Sequence, residues 1–209
     1  MGAVFKRELK TYFHSPLGYI FLAIMFGFSA YAFVYMLSAN VSMIQLVFSY
    51  MLSIVSMVVP LLTMRLMSED KKLKTDQLLL TAPVNISGVV LGKYCAAFVM
   101  FLIGMAPMIL YVLILAGFTM PDWNIFLGNF LALALLGGSM IAIGLLISYL
   151  TENQVVSAIV TFVVMMLITM LDNIAAQIPA GLSFIAKVLT SISFMSRYDN
   201  LCSGLLNFS

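Results

Sequence analysis

The chain has 209 residues, 63% of them hydrophobic and only 9% charged, with a formal net charge of +2. About a quarter of the residues in a soluble domain are charged, so this composition excludes a water-soluble globular protein. Two distant cysteines, Cys95 and Cys202, and one histidine, His14, make neither a disulfide framework nor a metal-ligand cluster. The basic residues are scattered on short segments beside apolar runs, which argues against nucleic acid as a partner.

Residues 3–15 come first. Val4, Phe5, Leu9, Tyr12 and Phe13 fall near helical spacing, with Lys6, Arg7, Glu8 and Lys10 between them. The pattern predicts an amphipathic helix in the membrane interface with its aromatic side down; a frayed polar terminus is the alternative. Ser15-Pro16 ends it, because the residue before proline avoids the α region. The first apolar run is too long for a cleaved leader and lacks a small-residue cleavage pattern.

Apolar runs then recur at about 17–37, 43–64, 94–118, 125–150 and 155–171, each long enough for a membrane span. The second carries Gln45, Ser49, Ser53, Ser56 and Pro60, read as packing and kinking residues. Between the second and third lies a charged island, 66–82. Ser68 is a candidate N-cap there, with Glu69 and Asp70 in the first turn, where the helix dipole favours acids. Lys71, Lys72, Lys74, Thr75 and Asp76 follow, and Pro83 stops the helix. Lys93, at the start of the third span, is expected to snorkel to the headgroups.

The third span contains Pro107, and the loop after it holds Trp123, an interfacial anchor by type. In the fourth span Ala134, Gly138 and Ala142 recur every fourth position, as do Gly144 and Ser148. Such ladders let helix backbones approach closely in lipid, so they mark a packing face. A loop of a few residues at 151–154 makes the fourth and fifth spans a tight hairpin. From 173 to 209 the chain is apolar but broken by Pro179, Gly181, Lys187, Arg197 and Gly204, a pattern of re-entrant or interfacial helices. The fold class is therefore all-α: a polytopic helical membrane bundle of five spans in one domain. With five spans, Lys6, Arg7, Lys10, Arg65, Lys71, Lys72, Lys74 and Lys93 share one side, against Lys187 and Arg197 on the other. The positive-inside rule then makes the N-terminus and the charged island cytoplasmic.

Catalytic chemistry finds little support. His14 reads as an interfacial polar residue, and Glu152 and Asp172 lie at opposite ends of the fifth span. There is no nucleotide-binding P-loop, zinc-protease or nucleophile-elbow motif. No Lys, Arg, Asp or Glu lies near the middle of a span, which disfavours an ion-coupled pump. A transporter of this kind would take its energy from another chain.

Lys6–Ile20, KRELKTYFHSPLGYI, and Met64–Tyr94, MRLMSEDKKLKTDQLLLTAPVNISGVVLGKY, resemble the permease subunit of ABC-2 type transporters, nearest the gliding-motility and copper-enzyme-maturation group. The shared pattern is an acid with basic residues, a threonine, a leucine pair, a proline and Gly-Lys: Glu69 with Lys71 and Lys72, Thr75, Leu78 to Leu80, Pro83, and Gly92-Lys93. Lys74 and Asp76 stand where that family usually has glycine and glutamate. The resemblance implies that residues 3–15, with Phe5, Lys6, Arg7, Lys10 and Tyr12, form the elbow helix. It implies that Glu69, Asp70, Lys71, Lys72, Thr75 and Asp76 lie on a coupling helix docking on an ATPase subunit, with Glu152 at a second contact. ATP and Mg would be held by that ATPase and no cofactor by this chain. A second permease copy or paralogue, the lipid bilayer and an extracytoplasmic auxiliary subunit are the other partners implied. The family has six spans with two short re-entrant helices before the sixth, so the expectation is that the sixth span and a basic cytoplasmic tail are missing here at the C-terminus. The competing readings are a membrane scaffold of a non-transport complex, and an intramembrane enzyme or channel.

Overall fold

The computed structural model describes residues 2–38, 44–72, 86–118 and 122–176, together with Ser193, Phe194 and Tyr198. Seven helices make up these residues: α1 (Gly2–His14), α2 (Pro16–Ser38), α3 (Gln45–Thr63), α4 (Ser68–Lys72), α5 (Ile86–Ala116), α6 (Trp123–Leu150) and α7 (Gln154–Ala176). No strand occurs among the described residues. Among the described residues five helices are long and apolar enough to cross a membrane. Helices satisfy their own backbone groups, which a hydrocarbon solvent demands. Thr75, Asp76 and the rest of the charged island after Lys72 lie outside the described residues, as does nearly all of 177–209.

The break between α1 and α2 is chemically simple. Ser15 caps α2, its hydroxyl accepting the N–H of Leu17 at 3.2 Å, and Pro16 occupies the first helical position, where no N–H is needed. Gly18 packs so closely under Tyr12 that a side chain there would strike the Tyr12 carbonyl. The chain therefore turns sharply, and α1 folds back against α5 and α2. The sequence places the apolar side of α1 in lipid. Instead Tyr12 is only 4% exposed and Phe5 and Leu9 pack on the core, while Lys6, Arg7, Lys10 and Phe13 are exposed.

Helix α3 is the centre of the bundle. It contacts α2, α6 and α7, and 61% of its apolar stretch is buried against 17% for α7. Val47, Met51, Val55 and Val59 all have no exposure; a four-residue step drifts round the helix, so their burial reflects neighbours on several sides of α3. The helix runs through Pro60 and ends at Thr63. The serines of α3 bond back to their own helix: Ser49 to the Gln45 carbonyl and Ser56 to that of Ser53. Much of α7 faces outward, with Val155, Ile159, Val163 and Leu167 each exposed. In lipid an apolar outer face carries no penalty, because the tails are as apolar as the side chains.

Helix α6 packs through small residues, along the predicted Gly144–Ser148 line and through Ala134 and Gly138 but not Ala142. Ala134 and Gly138 are buried, whereas Ala142 points away from the rest of the chain. The closest approaches are at Gly137, where any side chain would strike Phe101 of α5, and at Gly144, where it would strike Thr63 of α3. The helical repeat of 3.6 residues explains this: a strict four-residue ladder drifts around the helix by Ala142. Helix α5 begins at Ile86, earlier than the sequence suggests, and α7 continues through Asp172 to Ala176.

Candidate functional site

At one end of the bundle α1, α4, the start of α5 and the end of α6 converge on the short turn Met64–Met67, which joins α3 to α4. A helix C-terminus leaves its last carbonyls without intrahelical partners. Here side chains from three other helices supply them. The Tyr12 hydroxyl of α1 donates to the Leu62 carbonyl at 2.9 Å. The Ser148 hydroxyl of α6 donates to the Met64 carbonyl at 3.2 Å. The Lys93 ammonium of α5 donates to the Leu66 carbonyl at 2.6 Å. The negative end of the α3 dipole favours a cation at this place.

Ser148 also accepts the backbone N–H groups of Met67 and Ser68, each at 3.1 Å. One hydroxyl thus bridges the end of α3 and the beginning of α4. Ser68, a predicted N-cap, instead donates its hydroxyl back to the Met64 carbonyl. The cap function has moved to another helix because Ser148 reaches those N–H groups first, over Gly144 one turn away.

Six charged side chains surround this junction. Arg65 makes a two-pronged pair with Glu69, at 2.8 and 3.0 Å, and donates to the Ser15 hydroxyl at 2.7 Å. Arg7 pairs with Glu8 at 2.7 Å, and that hydrogen bond raises the Arg7 guanidinium above its ordinary value. Lys93 pairs with Glu8 at 3.1 Å and with Asp70 at 2.7 Å. Three cations and three anions balance one another around a cleft of about 180 Å³, lined also by Thr11, Tyr12 and Leu66. Tyr12 is pushed far above the usual range of a phenol, first by burial and then by the charge of Glu8, so it stays a neutral donor.

Lys93 contradicts its sequence reading. It does not snorkel: it is 2% exposed. It sits about two turns into α5, where reaching solvent would cost more than turning toward two carboxylates and a carbonyl. Of the predicted coupling residues, Glu69 and Asp70 are engaged inside this network, and Lys71 lies over the Tyr149 ring at 4.7 Å. Lys72 and Glu152 are exposed. Helix α4 packs against both α6 and α7, the helices that flank the Thr151–Asn153 loop carrying Glu152. The elbow residues Phe5 and Tyr12 face the bundle, Lys6 and Lys10 are exposed, and Arg7 is exposed at the edge of the cleft. Glu8, Arg65 and Ser148 were not singled out from sequence as functional. A charged residue at helical spacing from Tyr12, and one three residues before Ser68, were the available signals.

A second cleft, about 320 Å³, lies between α3 and α7 and is lined by Ser53, Ser56, Met57, Phe162, Met166 and Thr169 among others. Ser56 and Thr169 donate to carbonyls of their own helices, which leaves an apolar space. No group of three or more His, Cys, Asp and Glu that could hold a metal occurs among the described residues.

Residues 38–208, most of the chain, match the family model described as ABC-2 family transporter protein. The chain belongs to the ABC-2 transporter family. It is thus an ABC-2 permease, a transporter membrane subunit and an integral membrane protein, with five helices among the described residues long and apolar enough to span the bilayer. It matches no curated protein and no solved structure. Membership implies an ABC ATPase and the bilayer as partners of this ABC-2 protein.

Proposed function

We propose that this chain is the permease subunit of an ATP-driven exporter. Its charged end faces the cytoplasm and docks on a separate ATPase subunit that holds ATP and Mg, and two permease subunits pair to form the path. The observation that carries this reading is the capped junction at Met64–Met67. A helix meant to receive force must be tied to the spans: α4 is tied to α5 by the Lys93–Asp70 pair and to α6 by Ser148, while Tyr12 of α1 and Lys93 hold the end of α3 and the turn that leads into α4. The eight-to-two distribution of Lys and Arg supports the cytoplasmic placement. The gliding-motility and copper-enzyme-maturation grouping rests on the motif residues of Met64–Tyr94 and Lys6–Ile20.

Glu69 and Asp70 hold the junction together, so the residues left to meet the ATPase are Lys72, Glu152 and, from sequence, Thr75 and Asp76. The test is co-purification of the full-length protein from detergent, with identification of accompanying chains and an ATP hydrolysis assay. Lys72→Glu combined with Asp76→Lys should release a co-purifying ATPase while leaving the permease folded. A protein that purifies without any nucleotide-binding chain would turn the reading toward a membrane scaffold.

A further inference from the structure

Lys93 touches three separate segments of the charged end. Its ammonium meets Glu8 of α1 at 3.1 Å, Asp70 of α4 at 2.7 Å and the Leu66 carbonyl of the α3–α4 turn at 2.6 Å. Its own helix, α5, is a membrane span. A buried ammonium has donors and no acceptor; here it donates to Glu8 and to the Leu66 carbonyl and forms an ion pair with Asp70. Its side chain is 3% exposed and those of Glu8 and Asp70 are 12% and 18%. Screening by water and salt is weak at such a place, and removing one member of a buried charge group leaves the others uncompensated.

We propose that Lys93 is a positioning residue that locks α1 and α4 to α5, so that the two surface helices and the span move as one body. Resting on the coupling reading above, this assigns the transmission step to a single buried cation. The geometry separates the roles of its partners. Glu8 ties α1 only, and Asp70 ties α4 only. Tyr12 and Ser148 hold the ends of α3 and α4 through neutral hydrogen bonds, which fix position without involving α5. Of the side chains donating to the Leu62, Met64 and Leu66 carbonyls, only that of Lys93 comes from α5 and is charged.

The experiment is backbone hydrogen exchange on the full-length protein in detergent, followed on peptides from α1, α4 and α5. Glu8→Gln should speed exchange in α1 and leave α4 unchanged; Asp70→Asn should do the reverse. Lys93→Met should speed both together, by about tenfold or more, the scale of a lost charge-assisted hydrogen bond. Lys93→Met with Glu8→Gln and Asp70→Asn removes the uncompensated charges. It should keep the protection of the five spans yet retain fast exchange in α1 and α4. Wild-type protection of α1 and α4 in this triple variant would overturn the proposal, and so would a Lys93→Met effect confined to one helix. In the complex, the triple variant should still bind the ATPase, while the permease-dependent change in hydrolysis rate falls by about tenfold, the same scale; an unchanged rate would also overturn it. Failure of the wild-type protein to bind any ATPase would instead sink the coupling reading, leaving the exchange results to decide the lock.

Discussion

Tyr12 shows how much one hydroxyl does at this end of the molecule. Its ring fills the space between α1 and the bundle, and its O–H takes the carbonyl that α3 leaves open. Tyr12→Phe keeps the ring and orphans the Leu62 carbonyl; it should cost about 1 kcal/mol, read as a lower unfolding midpoint in detergent. The pH dependence follows from the raised value of the phenol. In the unfolded chain a tyrosine ionises near pH 10, whereas folded Tyr12 holds its proton above that. Its contribution is therefore complete below about pH 10 and is lost as pH rises further, because only the unfolded state then releases the proton. The wild-type midpoint should fall more steeply than that of Tyr12→Phe above pH 10; parallel slopes would refute the assignment. Tyr12 was visible in the sequence as an aromatic at helical spacing. Its burial was not, because periodicity says which face is apolar and not whether lipid or protein covers it.

At the scale of elements, α4 owes its beginning to a neighbouring helix. Its first N–H groups are met by Ser148, brought near because Gly144 lets α6 lie against Thr63 of α3. Ser148→Ala leaves two N–H groups to find new partners, the Met64 carbonyl keeping the Ser68 hydroxyl, at a cost of about 1–3 kcal/mol. Exchange at the Met67 and Ser68 amides should rise by about tenfold or more, since 1.4 kcal/mol is a factor of ten. Unchanged exchange at those two amides would show that the bridge carries nothing. Sequence placed Ser148 on a small-residue ladder with Gly144, which was half of the answer: it gave the packing but not the hydrogen bonds. A ladder of fixed spacing also included Ala142, which the 3.6-residue turn carries to the outside.

For the whole molecule, α3 is enclosed by α2, α6 and α7, and α1 returns over α5 to close the charged end. The exposed apolar surface of α2, α5 and α7 requires lipid, and the one-sided charge requires an orientation. In intact cells a membrane-impermeant thiol reagent should label Trp123→Cys and spare Lys10→Cys, both in a background without Cys95 and Cys202. Opening the cells should expose Lys10→Cys. Labelling of Lys10→Cys from outside would invert the topology and remove the ATPase reading with it.

The sequence by itself determined the class of solvent, the number of spans among the described residues and the side that carries the charge. These are properties of composition and run length, and each can be read from neighbours along the chain. It also carried the family, through the charged island and the Gly-Lys that follows it. Only the tertiary structure decided what the charges do. Glu8, Asp70 and Lys93 lie 85 and 23 residues apart from partner to partner, and no local pattern reports a contact of that separation. Snorkelling and an internal ion pair are equally open to a lysine near a helix start. The choice falls to the ion pair because α1 and α4 bring a carboxylate each, and the α3–α4 turn an open carbonyl, within reach of Lys93.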